Sequence, residues 1–283
     1  MPARPFGQDK FVLVHGLQMH YVEWGTPAQP SLLLLHGFQS HAHTWDTLSL
    51  AMAETYHVVA LDQRGHGDTS WAPDGHYDPE AFVHDIVGCI TALNLAPTVL
   101  IGHSMGGRHA AMLAAAHPDL VRKVVIVDTA AEFPPAMAAS LVSPSAPLPP
   151  LRPETFATFE EVIRQGLEQY PLTPEAELRH ANYHNLWRGA DGQWRWRWDL
   201  HLLEWRRRHR HLQRDLYLAL RQIHCPTLLI RGQRSPLLTP EVAQKMIQAL
   251  PQGRLVEVAD AAHTVHADNA AAFHAATAAF LRE

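Results

Sequence analysis

The stretch Gly102-His103-Ser104-Met105-Gly106 decides the fold, because it sets a serine between two glycines where the pattern of the chain changes. The apolar run 98–101 before it is typical of a buried parallel strand. The alanine-rich run 108–117 after it favours a helix. A serine on a sharp turn between strand and helix projects its hydroxyl, and the glycines permit the close backbone approach of such a turn. The sequence therefore predicts that Ser104 is a nucleophile.

Length, charge and cysteine content limit the class of protein. At 283 residues the chain can form one α/β domain with an insertion. The formal net charge of −5 gives no reason to expect nucleic acid as a partner. Cys89 and Cys225 lie in apolar stretches, so no disulfide framework is predicted. Neither a signal peptide nor a membrane span is evident, and we expect a cytoplasmic monomer or homodimer that binds a small molecule but no membrane.

The abundance of histidine, with 21 residues, raises the question of a metal site. His41, His43 and Asp46 resemble part of a dinuclear metallohydrolase motif, but the spacing to the aspartate differs and no following histidine completes it. We therefore expect these histidines to be solvated surface residues. The sequence predicts no metal and no cofactor.

Apolar strands alternate with helices in the first half of the chain, and the alternation resumes after residue 222. The predicted strands are 11–14, 18–24, 31–35, 57–61, 98–101, 123–127, 226–231 and 254–258, and the predicted helices are 44–53, 79–93, 108–117, 239–250 and 270–281. The first two strands are expected to form an antiparallel hairpin. This pattern predicts an α/β fold, with a mostly parallel eight-stranded sheet covered by helices on both faces.

The pattern breaks between these two parts. Residues 131–153 are rich in proline, alanine and serine, and residues 154–214 are predicted to be helical and polar, with five of the eight tryptophans. The simplest interpretation is a mainly helical cap, residues 131–215, inserted into a core domain formed by residues 1–130 and 216–283.

The base that must activate the serine is expected late in the chain. A serine hydroxyl is a poor nucleophile and needs a neighbouring base, in most cases a histidine held by a carboxylate. In a sheet of this type the base should lie on the loop after the last strand, where the sequence has Asp260-Ala261-Ala262-His263. His263 is therefore the predicted base.

Backbone N–H groups are expected to stabilise the negative charge that develops on the substrate. Met105, the residue after the nucleophile, is predicted to supply one of them. The loop after strand 31–35 reads His36-Gly37-Phe38, in which Gly37 allows a close turn. We expect the N–H of Phe38 to be the second donor.

Four segments together resemble the α/β-hydrolase family over nearly the whole chain; they are residues 36–38, 62–68, 102–107 and 260–263. The resemblance implies the corresponding fold and a serine nucleophile. It implies little about the substrate, because members of this family share a core and differ in reaction. The segment 62–68 is expected to shape the loop beside Ser104.

The chain departs from the family pattern at the acid of the triad. Most relatives have an aspartate in a Gly-x-x-Asp context after the strand that follows the cap, but this chain reads Gly232-Gln233-Arg234-Ser235. Other members, such as haloalkane dehalogenases, place the acid at the end of the strand after the nucleophile helix, where this chain has Asp128. We predict that Asp128 orients His263; the alternative is that Asp128 has a structural role only.

Tryptophan and arginine alternate from Trp194 to Trp198, which on an extended segment places the indoles on one side. Two interpretations remain open. The indoles line an aromatic wall over the active site, or they pack the cap against the main domain. On the first interpretation the substrate-binding residues are Trp187, Trp194, Trp196 and Trp198.

These residues predict a serine hydrolase that cleaves carboxylic esters or lactones of small to medium apolar substrates through an acyl-enzyme. The resemblance also leaves open a carbon–carbon bond hydrolase, an amidase or a perhydrolase with the same triad, and a non-catalytic receptor on the same fold. An epoxide hydrolase or dehalogenase is disfavoured, since those relatives have aspartate where this chain has Ser104.

Overall fold

The computed structural model describes residues 7–132, 154–208 and 215–283. In chain order its strands are β1 Gln8–Val14, β2 Leu17–Trp24, β3 Ser31–Leu35, β4 His57–Leu61, β5 Thr98–His103, β6 Val121–Val127, β7 Thr155–Phe156, β8 Leu186–Arg188, β9 Trp194–Trp196, β10 Thr227–Gly232 and β11 Gly253–Val258. Its α-helices are α1 Asp46–Met52, α2 Pro79–Ala92, α3 Met105–Ala116, α4 Phe159–Gln169, α5 Glu175–Asn185, α6 His201–Arg208, α7 Leu216–Arg221, α8 Pro240–Ala249, α9 Val265–Asp268 and α10 Ala270–Arg282.

Eight of the strands form one sheet, in the order β1-β2-β4-β3-β5-β6-β10-β11. The β1–β2 hairpin and the β2–β4 pair are antiparallel, and the remaining pairs are parallel. The predicted mostly parallel eight-stranded sheet is therefore confirmed. The loops that follow the parallel strands β3, β5, β6, β10 and β11 all lie at the carboxyl ends of these strands. This is the end of the sheet where α/β proteins bind their ligands.

Helices cover both faces of the sheet, as predicted. Leu33 and Leu35 of β3 belong to one apolar cluster, together with side chains of α2, α3, α7 and α8. Leu32 and Leu34 point to the opposite face and belong to a second cluster, with side chains of α1 and α10. All of β3 is buried, which explains why its sequence is a continuous run of leucines.

Helix α3 begins at Met105, three residues earlier than the sequence predicts. Gly106 and Gly107 lower the intrinsic helix propensity of this first turn. The turn is helical nonetheless, because it packs tightly against the loop after β3: a Cβ added at Gly106 would lie 2.3 Å from the carbonyl oxygen of Leu35. The predicted helix 44–53 differs as well, and consists of a short 3₁₀-helix, Ala42–Trp45, followed by α1.

Residues 154–208, called the cap segment below, are not wholly helical. Besides α4, α5 and α6 they contain a three-stranded antiparallel sheet in the order β7-β9-β8. The sequence-based prediction of helix is therefore wrong for residues 155–156, 186–188 and 194–196, because β8 and β9 form a hairpin and β7, which is distant in sequence, adds a third strand. The predicted cap limits lie next to residues 133–153 and 209–214, which are outside the described residues, so the domain division stays a prediction.

Two further expectations concern membranes and cysteines. Within the described ranges, no helix has the length and apolar composition that a bilayer crossing demands. Cys89 and Cys225 are both free thiols in the structure.

Replacing Gly106 with alanine tests the close packing beneath α3. Since the new methyl group would overlap the Leu35 carbonyl, we expect Gly106→Ala to lower the free energy of unfolding by roughly 1–3 kcal/mol, measured by urea denaturation. The matched control is Gly166→Ala within α4, where a Cβ would lie 3.7 Å from its nearest neighbour, Leu178. This control should stabilise the protein by up to about 1 kcal/mol. Equal effects of the two substitutions would contradict the packing described here.

Candidate active site

Ser104 stands on the turn between β5 and α3 with φ 51° and ψ −111°, a left-handed conformation that is strained for a residue with a side chain. The backbone around it is fixed on both sides. The N–H of Ser104 donates to the carbonyl of Val127 at 2.9 Å, and its own carbonyl accepts from the Thr129 hydroxyl at 2.9 Å. The strained turn therefore has the geometry predicted for a projecting serine hydroxyl.

His263 lies on the loop between β11 and α9, as predicted, and its ring faces Ser104. Its Nε2 is 3.1 Å from Ser104 Oγ, and its Nδ1 is 2.8 Å from Asp128 Oδ2. The carboxylate accepts a hydrogen bond from Nδ1–H, so the neutral ring has its free lone pair on Nε2. This tautomer is the one that can accept the proton of the serine hydroxyl.

Asp128 follows β6 and is completely buried. Besides His263 it has two donors: the N–H of Gly232 is 3.0 Å from Oδ1, and the hydroxyl of Ser235 is 2.6 Å from Oδ2. A buried charge is costly unless it is paired and hydrogen-bonded, and these donors satisfy the carboxylate. The structure thus brings Ser104, His263 and Asp128 together in one hydrogen-bonded chain.

Ser235, which stands where the family resemblance implies an acid, contacts Asp128 instead. Its hydroxyl donates to Asp128 and accepts from the N–H groups of Leu237 and Leu238, at 3.2 and 3.1 Å. The sequence alone showed that this position lacks a carboxylate, but it did not predict the hydrogen bond between Ser235 and Asp128. The pairing could have been suspected from the adjacency of the loops after β6 and β10, which are neighbouring strands.

His103, the residue between Gly102 and Ser104, was not predicted to have a role in the site. Its Nε2 donates to the backbone carbonyl of His263 at 2.8 Å. Burial, together with the nearby His263, holds the pKa of His103 well below its usual 6.5. His103 is therefore neutral at physiological pH. Its hydrogen bond connects the loop of the candidate base, His263, to the turn that carries the candidate nucleophile, Ser104.

The two predicted oxyanion donors lie beside Ser104. Met105 is the first residue of α3, so its N–H has no acceptor within the helix. Phe38 follows Gly37, where a Cβ would be 3.4 Å from the Cβ of Ser104. The side chains of Phe38 and Met105 also pack against the same apolar cluster. This placement is compatible with the oxyanion role, which stays a prediction.

The loop that carries Phe38 is braced by the segment 62–68, which confirms the shaping role predicted for that segment. The side-chain Nε2 of Gln63 donates to the carbonyl of His36 at 2.7 Å, and the backbone N–H of Gln63 donates to His36 Nε2 at 3.0 Å. His36 Nδ1 donates to the Gly37 carbonyl at 2.7 Å. One neutral tautomer satisfies all of these contacts, and burial lowers the pKa of His36 to about 3.

An apolar surface adjoins the candidate oxyanion donors, and part of it comes from the cap segment. Phe38 and Met105 pack against a cluster whose other members are Ala72, Tyr77, Phe82, Leu202 and Trp205. Leu202 and Trp205 are three residues apart on α6 and therefore share a face of that helix. Tyr77 also links the core to the cap segment, because its hydroxyl donates to the carboxylate of Asp199 in the cap segment.

The four predicted substrate-binding tryptophans occupy different positions. Trp196 and Trp198 are 6% and 1% exposed and form the core of the cap segment, together with the partly buried Trp194. The three indoles do lie in one cluster, and the other members of that cluster also belong to the cap segment. Trp187 is exposed and lies beneath the guanidinium of Arg195. Substrate contact therefore stays a prediction for Trp187 and Trp194 alone.

Two groups of histidine and aspartate within the described ranges could hold a metal ion. One consists of His15, His84 and Asp85, and the other of His43, Asp46 and His184. Asp85 is already bound by the guanidinium of Arg64, with one contact of 2.9 Å. Neither group includes Ser104, His263 or Asp128.

Comparison with known proteins agrees with this geometry. A family model described as the alpha/beta hydrolase fold matches residues 30–270. The chain belongs to the α/β-hydrolase family. Its predicted membership is thereby confirmed, and so is the predicted fold class.

Among the similar α/β-hydrolases are enzymes with different named substrates. The chain is 29% identical to an sn-1-specific diacylglycerol lipase of Mus musculus, over 91% of this chain and 82% of that protein. It is 30% identical to a 3-hydroxybutyrate-oligomer hydrolase of Cupriavidus necator, over 87% of each. A crystal structure of E-2-(acetamidomethylene)succinate hydrolase superposes with a TM-score of 0.88 at 25% identity, and covers 98% of this chain and 100% of the other. These similarities support hydrolase activity without selecting a substrate.

Replacing Asp128 tests whether it orients the base in this α/β-hydrolase. Asp128→Asn keeps the shape but cannot hold the Nδ1–H tautomer as a charged acceptor, so we expect kcat/KM for an ester to fall by roughly 10²–10⁴-fold. The matched control is Asp260→Asn, three residues before His263, where the carboxylate is 71% exposed and pairs with Arg234. This control should keep nearly full activity. Full turnover and an unchanged pH profile in Asp128→Asn would refute the assignment.

Ser235 should act as a positioning residue for the carboxylate. Removal of its hydroxyl in Ser235→Ala eliminates a hydrogen bond to a charged group, and we expect a loss of roughly tenfold in kcat/KM. Ser235→Thr retains a hydroxyl and should recover most of the lost activity. If the alanine and threonine variants are equally impaired, the effect comes from packing and not from the hydrogen bond.

Proposed function

We propose that this protein is a serine hydrolase of carboxylic esters that works through an acyl-enzyme. The observation that carries the proposal is the chain of hydrogen bonds from Ser104 through His263 to Asp128. Relatives named as a diacylglycerol lipase and a 3-hydroxybutyrate-oligomer hydrolase support hydrolysis in general. The choice of esters, including cyclic esters, is our inference from the serine chemistry.

In the proposed acylation step, Ser104 Oγ attacks the carbonyl carbon of the ester while His263 Nε2 takes the hydroxyl proton. Asp128 stabilises the resulting imidazolium. The substrate oxygen becomes an oxyanion, which the N–H groups of Phe38 and Met105 stabilise in this proposal. Collapse of this intermediate breaks the bond to the leaving alkoxide, which receives the proton from His263, and the acyl group stays on Ser104.

Water completes the proposed cycle. His263 Nε2 removes a proton from the water as its oxygen attacks the acyl carbonyl, and the second oxyanion forms at the same N–H groups. Collapse releases the carboxylic acid and returns the proton to Ser104 Oγ. The imidazole of His263 is 29% exposed, so water can reach it from the open side of the site.

The apolar cluster next to Phe38 and Met105 supports a preference for substrates with an apolar group beside the ester carbonyl. Leu202 and Trp205 extend this surface from the cap segment. Burial of each methylene on such a surface contributes about 0.8 kcal/mol. We therefore infer that small to medium apolar esters bind better than the corresponding acetates.

Covalent labelling tests the nucleophile directly. A fluorophosphonate probe should modify the wild-type protein at Ser104, and p-nitrophenyl esters should give a burst of one p-nitrophenol per chain if deacylation is slower than acylation. Ser104→Ala should abolish both signals. The control Ser70→Ala removes a serine outside the site, and it should label at the wild-type rate. A folded wild-type protein that neither labels nor turns over any ester would favour a non-catalytic binding protein.

A chain-length series tests the apolar surface. Removing the indole of Trp205 should lower kcat/KM for a hexanoyl ester by roughly tenfold or more while it changes the acetyl ester little. The comparison variant, Trp187→Ala, removes an exposed indole that contacts Arg195 and that stays a predicted substrate contact. If Trp187→Ala reduces hexanoyl hydrolysis and Trp205→Ala does not, the substrate lies on the other side of the cap segment.

A further inference from the structure

A second group of reactive side chains lies where the cap segment meets the core. His43 and Asp46 belong to the 3₁₀-helix and to α1 of the core, and His184 belongs to α5 of the cap segment. Each offers one nitrogen or oxygen atom, and these three atoms lie within 4.8 Å of one another. The group therefore brings ligands of two parts of the chain to a single point.

Asp46 is the centre of the contacts in this group. Its Oδ2 is 3.1 Å from His43 Nδ1 and 3.0 Å from Nε2 of His180, which also lies on α5. The ring of His184 stacks on that of His43 with a centroid distance of 3.7 Å. Two nitrogen ligands and one carboxylate form a set that zinc binds in proteins.

His180 and His184 are four residues apart on α5 and so share one face of the helix. Histidines at this spacing can turn their ring nitrogens towards the same ion. Ligand atoms of a tetrahedral zinc site lie about 3.3 Å apart, given bonds of about 2.0 Å. The ligand atoms of His43, Asp46 and His184, which lie within 4.8 Å of one another, would therefore reach this separation by an inward rotation of their side chains.

A buried imidazole beside the group provides an independent observation. His41 is 2% exposed, and its Nε2 donates to the Ala181 carbonyl at 2.8 Å, which leaves Nδ1 with a lone pair. Among the described residues this Nδ1 has no hydrogen-bond partner. The His41 ring is 6.2 Å from that of His43 and 6.0 Å from that of His184, and all three line a cavity of about 490 Å³. An unpaired buried acceptor is costly, and a bound cation or its water would satisfy it.

We propose that His43, Asp46 and His184 bind one divalent transition-metal ion of the zinc type, which joins the cap segment to the core. His180 and His41 stand beside this site, as a partner of the carboxylate and as an acceptor for metal-bound water. The ion would stabilise the docking of α5, because it binds the docked arrangement and not the separated one. The spacing of residues 41–46 did not reveal the site to sequence reasoning, since the third ligand comes from the cap segment.

Zinc binding to the full chain tests this proposal without any measurement of hydrolysis. After removal of metals with EDTA, ZnCl₂ should bind with a stoichiometry of one in isothermal titration calorimetry and should raise the Tm. His43→Ala and His184→Ala should each weaken binding by at least about tenfold and remove the rise in Tm. The control His84→Ala, in the other histidine group, should bind like the wild type.

The outcomes are distinct. If the wild-type protein binds no zinc, or if both variants bind it as tightly as the wild type, the proposal is wrong, and the group is only a set of ion pairs between cap segment and core. Asp46→Asn keeps the size of the side chain and provides a second variant if a histidine variant fails to fold. Far-UV circular dichroism and urea denaturation report a folded protein without reference to Ser104, so failure of the metal site and failure of the proposed hydrolase activity can be distinguished.

Discussion

The carboxylate of Asp128 has no exposed surface and is held by three donors from two parts of the chain: the ring of His263 after β11, and the hydroxyl of Ser235 and the N–H of Gly232 at the end of β10. Since an unpaired charge in this position would be strongly destabilising, the loops that supply these donors must meet. The loops after β6, β10 and β11 therefore converge on one buried anion. Their convergence orients the imidazole towards Ser104.

The position of the acid is explained by the order of the strands. β6 and β10 are parallel neighbours, so the loops that follow them leave the sheet side by side. A carboxylate on either loop can reach the same ring nitrogen of the histidine after β11. This chain has the aspartate after β6 and a serine after β10, and the serine hydroxyl donates to the aspartate. The hydrogen-bonded chain to Ser104 forms although the proposed acid follows a different strand from the one that the family resemblance implies.

Much of the core could be predicted from the sequence because local pattern and tertiary structure agree there. The run 31–35 is apolar at every position, and it is a fully buried strand. Ser104 and His263 could be predicted as site residues because each follows the carboxyl end of a parallel strand, where α/β proteins bind their ligands. Asp128 could also be predicted, because position 235 has a serine and no carboxylate.

The cap segment could not be predicted in the same way. Whether Trp194 to Trp198 face a substrate or a small core depends on how the β8–β9 hairpin pairs with the distant β7, which local sequence does not determine. Leu202, Trp205 and His184 acquire their surroundings only when the cap segment packs on the core. Residues of this kind carry the parts of the site that distinguish one α/β-hydrolase from another.

A double-mutant cycle between Asp128 and His263 tests most directly whether the carboxylate acts through the imidazole. The quantity to measure is the rate at which a fluorophosphonate modifies Ser104 in the wild type, Asp128→Asn, His263→Ala and the double variant. We predict that the double variant reacts no more slowly than His263→Ala alone, since residues that act as one unit are not additive. Independent effects that multiply in the double variant would contradict this assignment.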